Sequence, residues 1–435
     1  MISIPEKENL KREIGVRSLA FAIINLTVGT GIFILPAIIA ENLGAAAIIA
    51  YLVCGAAIFL IALCFAEVGS KISTSGGTYT YIETAFGPFA GFLANNLFWI
   101  GSCMISDAAV ANALADTLQY FFPLLGNALV RMGFFFLVFG GLAFINITSV
   151  KNGIRMVAFA TFAKITPLLI LIIAGAGFVH AKNLQWTTFP TISNIGATSL
   201  ILFFAFTGIE SAVTNSGEFK DPKRTVPLGI FFGILTVLIL YICIQFVSQG
   251  VLGNTILQHK DAPLAAVAGV IFGSAGIILI IAVTGVSMLG GLAGEILAIP
   301  RVLFAGARDG IMPKMFGRVH PKFLSPHIAI IFYAFLGFVF ALSGGFKQLA
   351  TISVAATLLI YLGVVLATIK LRKNDGQAHG KTFRIRGGII VPVLATCVIA
   401  GLLYNLSKAE FISIVIFITV FSFIYLSMLI LKKRK

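Results

Sequence analysis

Four residues with ionisable side chains, Asp107, Lys164, Glu210 and Glu295, interrupt long apolar stretches of this 435-residue chain. At the centre of a membrane-spanning helix each would cost about 2.5–3.5 kcal/mol on insertion scales, so their presence points to a functional use, whether contacting a charged ligand, carrying a proton or closing a buried ion pair. Glu210 ends the stretch Phe206-Thr207-Gly208-Ile209-Glu210, and a related stretch near the N-terminus reads Ile24-Asn25-Leu26-Thr27-Val28-Gly29-Thr30-Gly31, with Pro36 beyond it. Glycine and threonine lower helix propensity, and proline removes a backbone donor. In lipid a broken helix is tolerated only where its freed N–H and C=O groups face protein, water or a ligand. A half-helix beginning near Gly31 points positive N–H groups at the middle of the membrane, which is a place for a carboxylate. On that reading Gly31 must stay small so that the carboxylate can approach its N–H. Thr30-Gly31-Ile32 and Thr207-Gly208-Ile209 stand 177 residues apart, and the same offset carries Pro88, which opens the third apolar run, onto Ala265, where the eighth begins. Paired interrupted segments in two halves of a chain point to a transporter binding site. Two glycine-bearing packing faces in a helical bundle are the other reading.

The elements that must position these residues follow from composition. The chain is 59% hydrophobic and 11% charged, with a mean hydropathy of +1.03, which excludes an ordinary soluble domain. Twelve apolar runs have membrane-spanning length, roughly 18–40, 44–66, 88–115, 127–149, 155–179, 194–216, 227–249, 264–300, 327–343, 347–369, 388–406 and 410–431. The eighth is overlong and is expected to continue past the membrane. Met1 to Arg17 is charged and lacks a cleavage pattern, so no removable leader is expected. The net charge of +15 is not a nucleic-acid footprint, because 25 of the 31 basic residues fall in the N-terminal tail, the even-numbered connections and the C-terminal Lys432 to Lys435. By the positive-inside rule both termini are cytoplasmic, and the partner of that basic face is the anionic inner leaflet of the bilayer.

Cys54, Cys64, Cys103, Cys243 and Cys397 all lie in apolar runs and read as small packing residues. The histidines sit at or beyond the ends of the runs with no metal-ligand spacing. There is no phosphate loop, nucleophile elbow or haem motif. The sequence therefore predicts neither enzyme chemistry nor a cofactor or metal centre.

The stretch Ser75-Gly76-Gly77-Thr78-Tyr79-Thr80-Tyr81 followed by Gly87-Pro88 makes a more specific comparison possible. With Gly29-Thr30-Gly31-Ile32-Phe33, Gly208-Ile209-Glu210-Ser211-Ala212, Asp221-Pro222-Lys223-Arg224-Thr225-Val226-Pro227, and Arg301 before Ala307-Arg308-Asp309-Gly310-Ile311-Met312-Pro313, it resembles the amino acid-polyamine-organocation superfamily in the correct order over ten runs. The resemblance implies an all-α membrane protein of twelve transmembrane helices: two inverted five-helix repeats with broken helices 1 and 6, plus two extra helices. Residues 1–17 would be the cytoplasmic tail, 18–180 and 193–369 the two repeats, 388–431 helices 11 and 12, and 432–435 a basic cytoplasmic end. The implied function is secondary active transport of an amino acid or related amine across the cell membrane by alternating access. Proton coupling is the first expectation, with exchange and a non-transporting amino acid sensor as the alternatives.

Residue by residue, the resemblance implies a site made of Thr27, Val28, Gly29, Thr30, Gly31, Ser102, Phe204, Thr207, Gly208 and Glu295. The N–H groups of Thr30 and Gly31, with the Thr30 hydroxyl, would hold the α-carboxylate. Carbonyls near Thr27, Phe204 and Thr207 would hold the α-ammonium, with Phe204 as an aromatic cover and Ser102 touching the side chain. Lys164 matches a lysine that, in sodium-independent relatives, stands where sodium-coupled relatives bind the ion; a lysine snorkelling beside Lys151 and Arg155 is the plain alternative. Glu210 matches a gating or proton-sensing glutamate, or caps its own half-helix. Glu295 meets a cationic side chain or a proton, or pairs with Lys164 or Arg301. Asp107 reads as a hydrogen-bonding residue inside the bundle, outside the site. Asn25 stands where members of the superfamily often carry glycine.

Overall fold

A computed structural model describes residues 13–72, 77–186, 189–213, 218–308, 312–372, 383–385 and 387–433, without the side chains of 150–158, 161–162 and 431–433. Ser75, Gly76, Asp309 to Ile311, and the basic residues Lys7, Lys11, Arg12, Lys373, Lys381, Arg386, Arg434 and Lys435 lie outside the described residues, as do the side chains of Lys151 and Arg155.

The described chain is helical. In order it forms α1 (Val16–Thr27), α2 (Gly31–Leu43), α3 (Ile48–Lys71), α4 (Thr78–Phe86), α5 (Pro88–Asn96), α6 (Ile105–Gln119), α7 (Ala128–Thr148), α8 (Val150–Gly175), α9 (Ile192–Leu202) and α10 (Ile209–Ala212). There follow α11 (Pro222–Leu252), α12 (Pro263–Arg308), α13 (His327–Ser343), α14 (Phe346–Arg372), α15 (Ile390–Leu403) and α16 (Lys408–Lys433). One isolated bridge joins Ile14 to Phe219, and no β-strand occurs among the described residues. By length and composition, eight helical stretches among the described residues are able to cross a membrane, and four shorter apolar helices accompany them. Large apolar side chains such as Leu137, Ile173 and Phe423 face outward, as helix surfaces bathed in lipid require.

Three irregularities shape the bundle. The first apolar run breaks after Thr27, where Val28 leaves the helical region (φ −74°, ψ 82°), and resumes at Gly31. The sixth tightens over Phe203–Phe206, opens at Thr207 (ψ 156°) and restarts beyond Gly208, whose φ of 126° is open to glycine and strained for other residues. The eighth, read from the sequence as one continuous run, bends at Gly273 (φ 68°) inside the 46-residue α12, so its first turns are set at an angle to the rest. Between α5 and α6, Leu97–Met104 winds as a π-helix. The Ser102 carbonyl there accepts a hydrogen bond from Ser353 Oγ at 3.0 Å, and the added Cβ of a residue at Gly101 would lie 2.5 Å from Ala356. The wide turn thus brings the backbone close against α14 and shares its hydrogen bonding with it.

At one end of the bundle, fully buried Glu67 of α3 accepts two hydrogen bonds from Arg372 of α14, at 2.6 and 2.5 Å, and one from the Ile385 N–H at 3.0 Å. This bidentate pair fastens α3, α14 and the segment 383–385 together. Removing one partner of a buried ion pair leaves the other desolvated and typically costs about 3–5 kcal/mol. Glu67→Gln should therefore lower the thermal unfolding temperature of the detergent-purified protein markedly, measured by differential scanning fluorimetry; an unchanged melting curve would show that the pair contributes little.

Candidate functional site

The two helix breaks lie against each other. A Cβ added at Gly31, the first residue of α2, would lie 2.8 Å from the Ala205 Cβ and 2.9 Å from its Cα, and one at Gly208 would lie 3.1 Å from the Leu26 carbonyl carbon and the Thr27 Oγ1. The sequence suggests that Gly31 is small for the sake of a ligand; the structure shows that helix contact with Ala205 already requires it. Gly29 is the residue whose missing side chain opens space, since an added Cβ there would meet only the Thr27 carbonyl oxygen, at 4.0 Å.

Neighbouring helices bind the freed carbonyls. The hydroxyl of Tyr241, on α11, lies 2.8 Å from both the Thr27 and the Ala205 carbonyl oxygens, so one buried donor serves the two breaks in turn. Lys164 of α8 is 7% exposed and donates from Nζ to the Asn25 carbonyl at 2.6 Å. This carbonyl is in the last turn of α1, where intrahelical acceptors go unused. No side chain caps the start of α2, so its first N–H groups have no partner within the helix.

A cavity of about 160 Å³ opens beside the breaks. Thr27, Gly29, Thr30, Gly31, Phe204, Thr207, Lys164 and Glu295 line it, together with Asn25, Ser106, Asp107, Ser287 and the glycines Gly290, Gly291 and Gly294. Three buried polar atoms on its wall, Thr27 Oγ1, Ser287 Oγ and Glu295 Oε2, have no hydrogen-bond partner among the described residues. Leaving such groups unsatisfied costs about 1–3 kcal/mol each, which a polar ligand would offset. Phe204 closes one side and packs edge-on against Phe346, ring centroids 5.6 Å apart.

Val28, Ser102, Gly208 and Glu210, also singled out from the sequence, stand apart from the cavity wall. Val28 is buried among apolar neighbours. Ser102 hydrogen-bonds Thr357 at 2.7 Å and faces α14. Glu210 accepts from the Gly208 N–H at 3.0 Å and from the Tyr361 hydroxyl, so it caps its own half-helix and ties it to α14. Among the described residues no ion pair joins Glu295 to Lys164 or Arg301. Asp107, read from the sequence as internal to the bundle, does accept a hydrogen bond from Tyr333 at 2.9 Å, but it also lines the cavity. A signal existed for α12: Gly290, Gly291 and Gly294 precede Glu295 at helical spacing and clear one face beside it. Nothing local distinguishes Tyr241 or Ser287 from other buried polar residues of a bundle.

Comparison with known proteins agrees with this architecture. Residues 14–432 match the family described as amino acid permease. The chain is 30% identical to the serine/threonine exchanger SteT of Bacillus subtilis (strain 168), over 93% of this chain and 92% of that protein. It is 27% identical to the branched-chain amino acid permease BcaP of the same organism, over 96% and 93%, and 28% identical to its methylthioribose transporter, over 97% and 94%.

Because Tyr241 holds carbonyls from both breaks, Tyr241→Phe should destabilise the protein by about 1–3 kcal/mol, the cost of leaving a buried acceptor without its donor. Urea or thermal unfolding in detergent reads the change, and a variant as stable as the parent would show that the hydroxyl is dispensable.

Proposed function

The chain belongs to the amino acid permease family of the amino acid-polyamine-organocation superfamily, and on that premise we propose that it is a secondary active transporter of amino acids, working by alternating access with uptake linked to protons. The observation that carries the reading is the meeting of two broken helices at a cavity whose wall holds three buried polar atoms without partners among the described residues. A zwitterion matches both ends of such a break. Its carboxylate meets the N–H groups at Thr30 and Gly31 with the Thr30 hydroxyl, at the positive end of α2. Its ammonium meets carbonyls near Thr27, Phe204 and Thr207; the Thr27 carbonyl itself already accepts from the Gly29 N–H and the Tyr241 hydroxyl, so its neighbours carry this contact. Phe204 covers the ligand, and Ser287, Asp107 and Glu295 face its side chain. The cavity is small beside typical ligand pockets of about 300–1,000 Å³, which favours a small amino acid.

In this proposal the chain crosses the cell membrane twelve times as two inverted five-helix repeats and two further helices, with both termini in the cytoplasm, as the distribution of basic residues supports. Lys164 takes the place of a bound cation: a fixed positive group that ties α8 to the end of α1 through the Asn25 carbonyl. Release of its proton would loosen that tie and link the movement of α1 to protons. Exchange of one amino acid for another is the second reading, favoured by the likeness to a protein named as a serine/threonine exchanger.

Reconstitution into proteoliposomes tests the site. Gly29→Val places a side chain in open space beside the cavity and should abolish uptake and counterflow of labelled amino acids without shifting the melting temperature; normal uptake by this variant would sink the proposed site. Lys164→Ala should keep substrate binding but lose accumulation driven by an imposed pH gradient in sodium-free buffer. An unchanged response to the gradient would remove the lysine from coupling, and flux that requires amino acid on both sides of the membrane would establish exchange.

A further inference from the structure

Away from the cavity, a groove of about 470 Å³ runs along the outer seam between α1 and α11. Its walls are two stripes at helical spacing: Arg17, Phe21 and Ile24 on α1, and Arg224, Leu228, Phe232 and Thr236 on α11. We propose that this groove is a binding site for one anionic phospholipid, whose phosphate headgroup seats on Arg17 and Arg224 and whose acyl chain lies along the apolar walls.

Two features place both arginines at the same end of the groove. The Ile14 N–H donates to the Glu218 carbonyl and the Lys220 N–H to the Ile14 carbonyl, each at 3.0 Å, so the chain entering α1 and the chain entering α11 are fastened side by side. Arg17 and Arg224 then follow in the first turns of their helices. Both are exposed, and neither forms an ion pair with a described residue. The acidic residues at this end, Glu13, Glu218 and Asp221, stand against four basic ones, Arg17, Lys220, Lys223 and Arg224, so these described groups carry one net positive charge. Two planar forks suit the oxygens of a phosphodiester.

The remainder of the groove suits hydrocarbon. On the buried side of the seam, Gly229 and Gly233 let α1 approach so closely that added Cβ atoms would lie 2.8 Å from Leu19 and 2.9 Å from Ile23. Such small-residue contacts draw helices together and leave their larger residues to flare outward as walls. Phe21 is 69% exposed and Phe232 50% exposed, the surface an acyl chain would cover. From Arg224 to Thr236 the stripe rises roughly 18 Å at about 1.5 Å per residue, close to the depth of one leaflet, about half of a 30 Å hydrocarbon core. The position also gives the lipid a consequence. Ile24, at the far end of the α1 stripe, directly precedes Asn25, whose carbonyl Lys164 holds. An occupied groove braces the half-helix that the cavity depends on.

Native mass spectrometry of the purified full-length protein tests the site independently of any transport reading. Phosphatidylglycerol should be retained about tenfold more tightly than phosphatidylcholine with the same acyl chains, equivalent to about 1.4 kcal/mol. The double variant Arg17→Gln/Arg224→Gln should lose that preference, while Arg17→Lys/Arg224→Lys keeps most of it. Should the double glutamine variant fail to fold, Arg224→Gln alone, at an exposed position, should lose about half of the preference on a logarithmic scale. Equal retention of the two lipids by the parent protein, or an undiminished preference in the glutamine variants, would overturn the proposal. So would displacement of phosphatidylglycerol by millimolar inorganic phosphate, which would mark a site for free anions.

Discussion

A backbone that stops being helical inside a membrane must find partners for its N–H and C=O groups, and the centre of this protein is organised by that requirement. Two breaks, at Val28 to Thr30 and at Thr207 to Gly208, are placed so that each is the other's neighbour: Gly31 rests on Ala205, and Gly208 rests on Thr27. The Tyr241 hydroxyl reaches a carbonyl from each side. Glycine at 31 and 208 is therefore a condition of the crossing itself, and the cavity is what remains where the crossing leaves polar groups unspent.

The surrounding helices serve that crossing in different ways. On α11, Gly229 and Gly233 admit α1 at close range, and the same helix carries Tyr241. On α8, Lys164 extends to the end of α1, a polar contact in place of apolar packing. On α14, Tyr361 holds Glu210 at the second break while Thr357 and Ser353 hold the π-turn at Ser102. The four ionisable residues that interrupt the apolar runs thus do different things. Glu210 and Lys164 secure the broken helices, and Asp107 and Glu295 face the cavity from α6 and α12.

This division bears on how one architecture carries many cargoes. The relatives of this chain are named for serine and threonine, for branched-chain amino acids and for methylthioribose, although each matches nearly the whole of its length. Main-chain groups at a helix break are the same whatever the side chains around them, so the proposed carboxylate and ammonium contacts fit the relatives named for amino acids, whereas methylthioribose carries neither group. The wall formed by Ser106, Asp107, Ser287 and Glu295 is made of side chains that take no part in the contacts joining the two breaks.

The sequence alone determined the class of molecule and the places where its helices fail. Apolar runs of membrane length, basic residues alternating between connections, and Gly-Thr-Gly and Thr-Gly motifs are local properties, and propensity acts locally. The bend at Gly273 was less legible, because a single glycine in an apolar run reads as helix until its φ is known. What only the tertiary structure decided was which side chains face which. The π-turn rotates Ser102 towards α14, Asp107 reaches both Tyr333 and the cavity, and Gly31 owes its size to Ala205, 174 residues further on. These outcomes depend on the rotation and approach of helices far apart in the chain. No local propensity encodes them, since in lipid the packing of small residues and the satisfaction of buried polar groups set how helices meet.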